Sequence, residues 1–272
     1  MLASTLIGFR EALEAALIIG IILAYLLKTR KEKYNNIVYL GITAAIVTSI
    51  ITAILFNMIA GGFEGQAEQI FEGFAMLFAA GILTYMVIWM QGKSIANDLR
   101  EKVSEQLSDG QKYGLFFLSF ISVFREGVET VLFLSAAKFA GGGENSLLGT
   151  LIGIVLAIVL GYLIFVGSKK INIKKFFSVT SFLLILFAAG LFAHGVHEFQ
   201  EAGWIPIAQE HVWDINPLVN EDGSFPVLHE QGVIGSLMKG LFGYNGNPNL
   251  LEVIIWALYL LGMGLYCYKK KD

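Results

Sequence analysis

The residues best suited to chemistry in this sequence form two copies of one charged pattern, Arg-Glu-x-x-Glu. The six residues of the two copies are Arg10, Glu11, Glu14, Arg125, Glu126 and Glu129. An α-helix advances about 100° per residue, so the two glutamates of a copy lie about 60° apart and the arginine lies one turn before the second glutamate. On a helix, the three charged side chains of each copy therefore point into one sector.

Both copies sit inside long apolar segments, where charge is costly. A charged group at the centre of a bilayer costs about 2.5–3.5 kcal/mol on insertion scales, so these side chains must face protein or water. Ion pairs that pin helices together are one explanation. Two arginines, however, cannot neutralise four glutamates, and the excess negative charge suits a hard cation with oxygen ligands, such as calcium, magnesium, manganese or iron. A proton relay through the glutamates is the other alternative.

A second group of metal-ligand side chains lies near the end of another apolar run. Its members have the spacing i, i+3, i+4, i+7, which confines them to an arc of about 100° on a helix; they are His194, His197, Glu198 and Glu201. Imidazole beside carboxylate favours iron, manganese or zinc over calcium or magnesium. Glu64, Glu68 and Glu72 have four-residue spacing ahead of a further apolar run. Solvated helix ends would explain both groups; we interpret them as an entrance that attracts cations, formed by Glu68, Glu72, His194, His197, Glu198 and Glu201.

The composition places these motifs in a membrane protein. The chain has 272 residues, of which 56% are hydrophobic and 15% charged, and its mean hydropathy is +0.66. A helix needs about 20 apolar residues to cross the hydrocarbon core, and four charge-free runs are long enough: 34–63, 73–92, 145–168 and 176–197. Three more spans follow if interior charges are allowed: 2–27, 113–137 and 250–268. We predict an all-α polytopic membrane protein with seven transmembrane helices.

The distribution of basic residues predicts the orientation of the chain. Fifteen of the 19 lysines and arginines fall in alternate connections and at the C-terminus, in 28–33, 93–112, 169–175 and 269–271. Because positively charged loops stay in the cytoplasm, we expect the N-terminus outside and the C-terminus inside, in a multi-pass protein of the cell membrane. A cleavable signal peptide is the competing explanation of the first span, but Glu11 and Glu14 interrupt its apolar region and no small-residue cleavage site follows.

The chain contains an internal repeat. Residues of the first span recur in the fourth at an offset of 115 (Arg10 to Arg125), small residues of the second recur in the fifth at 108 (Gly41 to Gly149), and Leu-Phe-Ala-Ala-Gly at 77–81 recurs at 186–190. Three correspondences in register indicate two three-helix halves, which an odd number of spans forces into opposite orientations. Inverted repeats are typical of transporters, whose sites lie near the midplane where the halves meet.

This organisation predicts one transmembrane domain, residues 1–272, with four parts. They are repeat one (1–92), repeat two (113–200), an extracytoplasmic cap loop (201–249) that holds all four prolines, and a seventh helix (250–268).

With these motifs in place, the sequence resembles the iron permeases of the oxidase-dependent iron transporter group, which includes fungal high-affinity permeases and bacterial ferrous-iron permeases. The resemblance covers nearly the whole chain. Besides the two charged motifs it rests on Phe71-Glu72-Gly73, on residues 195–204, on Trp213-Asp214 and on Phe242-Gly243-Tyr244. It implies import of iron, as Fe²⁺ or Fe³⁺, with both glutamate pairs essential as metal ligands; the two motif arginines would orient them.

The resemblance also implies partners. Family members commonly work with a protein that handles the redox state of iron, a multicopper oxidase in fungi and cupredoxin-like and haem peroxidase proteins in bacteria. Besides iron ions and the lipid bilayer we therefore expect an extracytoplasmic iron-oxidising or iron-delivery protein, no resident cofactor and no nucleic acid. Homo-oligomerisation is left open.

Other functions fit the residues less well. A membrane di-iron enzyme would place Glu-x-x-His on two helices, and neither half contains that motif. The single cysteine, Cys267, excludes an intrachain disulfide and a thiolate metal cluster. Transport of another cation, manganese or lead, stays the alternative because carboxylate spacing does not choose the metal. We predict a membrane transporter and not an enzyme.

Overall fold

The computed structural model describes residues 2–90, 112–141, 146–166, 173–220, 225–230, 232, 234–235, 238–239 and 243–269. These residues form seven α-helices of 20 to 29 residues and contain no strand. The helices are α1 (Leu2–Lys28), α2 (Asn35–Ala60), α3 (Gln66–Met90), α4 (Lys112–Phe139), α5 (Ser146–Val166), α6 (Ile173–Glu201) and α7 (Leu250–Lys269). At a rise of about 1.5 Å per residue even the shortest is about 30 Å long, which matches the hydrocarbon core of a bilayer.

Length and composition mark four of these helices as membrane spans: α2, α3, α6 and α7. The apolar stretch of α5 is shorter, at 147–163. α1 and α4 are among the longest helices, and each has a charged motif in its interior. The prediction of an all-α polytopic membrane protein is confirmed.

The helices pack in pairs that are symmetric between the two predicted halves. α5 packs extensively on α1, and α2 packs in the same way on α4, so the second helix of each half lies on the first helix of the other. α3 packs along α6, and α1 contacts α4, which pairs equivalent helices directly. The predicted division at 1–92 and 113–200 is not tested by this pairing. Parts of the two predicted repeats lie outside the described residues. Several of the basic connections from which the orientation is predicted also lie outside them.

Small residues permit the close approach of these paired helices, as is common in membrane proteins. Gly153 of α5 lies against the backbone of α1, where an added β-carbon would be 2.6 Å from Phe9 N. In the other pair, a β-carbon added to Gly41 of α2 would be 2.7 Å from the carbonyl oxygen of Phe116 in α4. The two helices that carry the charged motifs, α1 and α4, therefore each pack against a glycine of a neighbouring helix, and these contacts leave no room for a side chain.

A large buried apolar cluster is formed mainly by α3, α4 and α6. Gly73 and Gly195 bring α3 and α6 together, since a β-carbon on Gly73 would be 2.9 Å from the Gly195 carbonyl oxygen. Phe133 of α4 is fully buried in this cluster. Many large apolar side chains of α2 and α5 stay exposed, for example Ile54 and Ile158. Such surfaces are expected where helices face lipid, because lipid tails are as apolar as the side chains.

The connection between α6 and α7, predicted as the cap loop at 201–249, folds back on the end of the bundle. Residues that are far apart in this connection are hydrogen-bonded to each other: the Ile215 N–H donates to the Gly246 carbonyl at 2.9 Å. Gly243, with a φ of 67°, lies directly against Gly190 of α6. A left-handed φ and this close approach both suit glycine. The extracytoplasmic location of the cap loop stays a prediction.

We expect Gly153→Ala to destabilise the protein, because its new β-carbon meets backbone atoms of α1. Overpacking of this kind costs about 1–3 kcal/mol, so the apparent melting temperature in detergent should fall. Gly81→Ala in α3 is the matched control, since an added β-carbon there has no neighbouring atom within 4 Å. Equal melting temperatures for the two variants would contradict the close packing of α5 on α1.

Candidate functional site

The two charged motifs meet where α1 and α4 approach each other. Glu11, Glu126 and Glu129 each direct one carboxylate oxygen to the same place, and these oxygens all lie within 4.8 Å of one another. Glu11 and Glu126 are 1% and 3% exposed, and Glu129 is partly buried. The contact between the first helices of the two halves thus brings together acids that are far apart in the sequence.

In α1 the motif arginine is enclosed with its glutamates. Arg10 Nη1 is 2.6 Å from Glu11 Oε1, and Nη2 is 2.8 Å from Glu14 Oε1. Nη2 also contacts the sulfur of Met86 in α3. The Arg10 side chain is 2% exposed. This side of the site is therefore closed to solvent.

In α4 the side chain of the equivalent arginine is partly exposed. Arg125 Nε is 2.9 Å from Glu129 Oε1, and Nη2 is 3.5 Å from Glu126 Oε1. The Arg125 side chain is 47% exposed. Its guanidinium carbon lies 5.9 Å from the centre of the Trp89 ring in α3, which is a cation–π distance. Motifs with the same charged residues therefore occupy unequal environments.

Where the two motifs meet, the glutamates carry more negative charge than the motif arginines can balance. The Oε2 atoms of Glu11, Glu126 and Glu129 are buried and have no hydrogen-bond donor in the part of the chain that the structure describes. Four glutamates against two arginines leave a formal charge of −2. Buried charges without partners are strongly unfavourable. A cation that prefers oxygen ligands would satisfy these atoms and reduce the excess charge together.

Glu14, the fourth predicted ligand, lies beside this group and is not one of its three members. One of its oxygens is held by Arg10, and the residue is 7% exposed. Glu14 also interacts electrostatically with Arg125 of the other motif. Where the sequence predicts four equivalent ligands, the structure brings the oxygens of three together and leaves Glu14 outside that group.

The predicted entrance residues lie at the C-terminal end of α6 and the N-terminal end of α3. His197 Nε2 is 3.0 Å from Glu201 Oε1. The other carboxylate oxygen of Glu201 accepts a 3.1 Å hydrogen bond from Gln69 of α3. This pair is partly open to solvent, since the side chains of His197 and Glu201 are 26% and 46% exposed.

The other predicted entrance residues surround this pair. Glu198 is buried and interacts electrostatically with Glu68 and Glu72, of which Glu68 is exposed and Glu72 partly buried. His194 lines a cavity of about 410 Å³ between α4, α6, α7 and the connection before α7, and its ring centre is 5.7 Å from that of His197. Among the described residues these side chains do not form a second group of three ligands.

A glycine-terminated cap ends α6 directly after Glu201. Gly203 has a φ of 76°, its N–H donates to the Gln200 carbonyl at 3.0 Å, and the Trp204 N–H donates to the Phe199 carbonyl at 2.9 Å. These two bonds define a Schellman motif, and the stacked rings of Trp204 and Phe199 supply its usual apolar contact. The cap stops the helix immediately after the turn that carries His197 and Glu201.

Sequence reasoning missed a buried polar network at the start of α7. Glu252 is 3% exposed; its Oε1 is 2.8 Å from His197 Nδ1, and its Oε2 accepts a 2.7 Å hydrogen bond from Asn245. Asn249 caps α7 by accepting the Glu252 N–H at 2.9 Å. A signal was present, because Glu252 is the one charged residue in the span 250–268. An Asn followed three residues later by Glu is also typical of a helix start.

Comparisons with known proteins identify the family of this chain. Residues 1–271 match the iron permease FTR1 family. The ferrous iron permeases EfeU of Escherichia coli and Shigella sonnei are each 34% identical over 265 residues, which cover 96% of this chain and 93% of the relative. EfeU of Yersinia pestis is 35% identical over 265 residues, covering 96% and 91%. No solved structure matches the chain. The resemblance seen in the motifs is confirmed, and the chain belongs to the iron permease FTR1 family.

Proposed function

We propose that this protein is an iron permease that carries iron ions into the cell across the cytoplasmic membrane. One observation carries the proposal: carboxylates of Glu11, Glu126 and Glu129, from the first helices of both halves, converge in a buried place with excess negative charge. Relatives named ferrous iron permeases support iron as the ion, and Fe²⁺ as the form to test first. Iron is the transported substrate here, and we propose no resident cofactor.

The proposed ion site uses carboxylate oxygens. The buried Oε2 atoms of the three convergent glutamates supply the first ligands, and Glu14 joins them when the ion replaces Arg10 at its carboxylate. Arg10 and Arg125 orient the carboxylates by holding their other oxygens. Oxygen ligands suit a hard divalent cation, and the negative charge compensates for the loss of its water shell.

The unequal exposure of the two arginines suggests a route from this site. Among the described residues the cluster is open past Arg125 and Trp89, towards the end of α3 opposite the entrance acids, so we assign this opening to the cytoplasmic exit; the Arg10 side is closed. If the two arginines exchanged environments, Arg125 would become enclosed, Arg10 would become exposed, and the cluster would open on the Arg10 side instead. Inverted halves with matching motifs are suited to such alternating access.

The outer acids and the His197–Glu201 pair are proposed as the entrance, on the extracytoplasmic side where the N-terminus also lies. An acidic rim raises the local concentration of cations and favours uptake over release. A separate extracytoplasmic protein that oxidises or delivers iron is proposed to supply the ion.

Transport of another cation, manganese or lead, is the second candidate, because an all-carboxylate site does not by itself select the metal. A membrane enzyme is disfavoured, since the relatives are named permeases and the convergent group contains no histidine. Uptake by the purified protein in lipid vesicles separates the candidates. We expect Fe²⁺ or Fe³⁺ to accumulate well above protein-free vesicles; uptake of manganese or lead without iron would overturn the proposal.

We expect Glu126→Gln and Glu129→Gln each to lower the initial rate of iron uptake more than about tenfold, because the amide keeps the size of the ligand and removes its charge. Even residues that only support metal ligands typically contribute 10–100-fold. Glu32→Gln, at an exposed position before α2, is the matched control. Normal uptake by a folded Glu14→Gln/Glu129→Gln double variant would return the motifs to a purely structural role.

The two motif arginines should differ in their contribution to stability. Arg10→Gln leaves two buried glutamates uncompensated, which typically costs about 3–5 kcal/mol. Arg125 is half-exposed, whereas its partners Glu126 and Glu129 are 3% and 13% exposed, so its guanidinium is better solvated than that of Arg10 and its pairs are more screened. We therefore expect a larger drop in melting temperature for Arg10→Gln than for Arg125→Gln. Equal losses would show that the exposure difference has no energetic consequence.

The entrance should affect capture more than turnover. We expect His197→Ala to raise the iron concentration at half-maximal uptake and to leave most of the maximal rate, because excess iron compensates for weak capture. His211→Ala, on the exposed connection before α7, serves as the control. Loss of transport by His197→Ala at every iron concentration would place His197 in the central site instead.

A further inference from the structure

We propose that Glu252 is a positioning residue that fixes the imidazole of His197, so that Nε2 of His197 and Oε1 of Glu201 together form the ion-capture pair of the entrance. The inference rests on the proposed function. It adds a residue of the seventh helix to the transport machinery and gives that helix a role in capture.

Glu252 is placed to support another residue and not to bind an ion itself. Its side chain is 4% exposed, and both of its oxygens already have partners. Oε1 is 2.8 Å from His197 Nδ1, and Oε2 accepts the 2.7 Å hydrogen bond from Asn245. A buried carboxylate of this kind is stable only with such partners. Its hydrogen bond with His197 is charge-assisted.

The helix cap holds this carboxylate in a fixed place. Asn249 is 3% exposed; its Oδ1 accepts the Glu252 N–H at 2.9 Å, and its Nδ2 donates to Gln200 Oε1 at 2.7 Å. The start of α7 is thereby tied to the last turn of α6, which also carries His197. The carboxylate and the imidazole therefore belong to one rigid unit.

The contacts at Nδ1 of His197 call for a proton on that nitrogen. Two groups approach Nδ1: the Glu252 carboxylate, which requires a proton there, and Asn249 Nδ2 at 2.8 Å, which requires a lone pair. The bond to the carboxylate is the stronger, and the Asn249 amide has other acceptors in Gln200 and Glu252. With Nδ1 protonated, Nε2 is the nitrogen left to bind the ion: without an ion it also carries a proton and donates it to Glu201 Oε1 at 3.0 Å, and it offers its lone pair to the ion once that proton has left to solvent.

Nε2 then faces Glu201 with the spacing of two adjacent ligands. Their nitrogen–oxygen distance is 3.0 Å. Two neighbouring ligands at about 2.1 Å from an octahedral ion are about 3.0 Å apart, so a cation can bind both with little rearrangement. Gln69 of α3 holds the other oxygen of Glu201. A carboxylate behind the imidazole is the arrangement that orients histidine ligands in metal sites.

Glu252→Gln tests the positioning role. The amide N–H can donate to Nδ1, which moves the ring proton to Nε2 and blocks the atom that should bind the ion. We expect a rise of about tenfold or more in the iron concentration at half-maximal uptake into vesicles, with the maximal rate largely retained. Unchanged half-saturation in folded Glu252→Gln would overturn the proposal.

A double variant separates positioning from simple attachment of α7 to the bundle. If Glu252 acts through His197, Glu252→Gln has no further effect on half-saturation in a His197→Ala background. If the network only attaches α7, the two changes add and the maximal rate falls with the amount of folded protein; that result overturns the proposal.

Tyr259→Phe is the matched control for attachment. It removes the 2.8 Å hydrogen bond between Tyr259 of α7 and Thr84 of α3, a polar contact of the same helix that does not involve His197. We expect its half-saturation to equal that of the wild type. A tenfold rise in this variant would show that any loosening of α7 impairs capture, and would overturn the specific role of Glu252.

The tautomer is measured directly by ¹⁵N NMR of histidine-labelled protein, without iron and at alkaline pH, where a neutral imidazole has one proton. The chain has four histidines, and the signal lost in His197→Ala assigns His197. We expect the proton on Nδ1 in the wild type and on Nε2 in Glu252→Gln; a wild-type proton on Nε2 overturns the proposal even if no variant folds. Because this readout needs no transport, it stays decisive if the vesicle assay shows that the protein does not carry iron.

Discussion

The burial of four glutamates with only two arginines is the constraint on which the rest of this structure depends. Each arginine lies one turn from a glutamate of its own helix, so every motif is partly neutralised before the helices meet. The remaining negative charge appears only where α1 and α4 approach each other and the carboxylates converge. In a bundle without compensating groups such a cluster would be strongly unfavourable. In the proposed function, the transported cation supplies that compensation.

The arrangement of the other helices follows from the need to keep these charges away from lipid. α5 covers α1, and α2 covers α4, so each motif helix is shielded by a helix of the opposite half. The covering helices are apolar and their outer surfaces are exposed, which suits contact with the bilayer. Glycines at the inner surfaces allow backbones to approach closely and exclude space that water would otherwise fill.

The seventh helix has no counterpart in the predicted repeat. α7 packs chiefly on α6, and its cap joins His197 to Glu252 in one buried network. The motifs are also unequal, since Arg10 is enclosed and Arg125 is half-exposed. A strictly symmetric protein would present the same surface to both sides of the membrane. These differences make the two predicted halves unlike each other.

The sequence by itself determined the fold class, the two charged motifs and the family. Apolar runs of membrane-spanning length, helical spacing within each motif and register between the repeats are local or periodic properties, so they can be recognised without coordinates. What only the tertiary structure decided is which side chains meet. Glu11 joins Glu126 and Glu129 while Glu14 does not, although both pair with Arg10 and spacing treats both glutamates of a motif alike. Glu252 reaches His197 because α7 folds back on α6 across a connection of 48 residues, from 202 to 249. Contacts of this kind depend on how helices cross and on which neighbours share a buried charge, and neither is encoded in the period of a single helix.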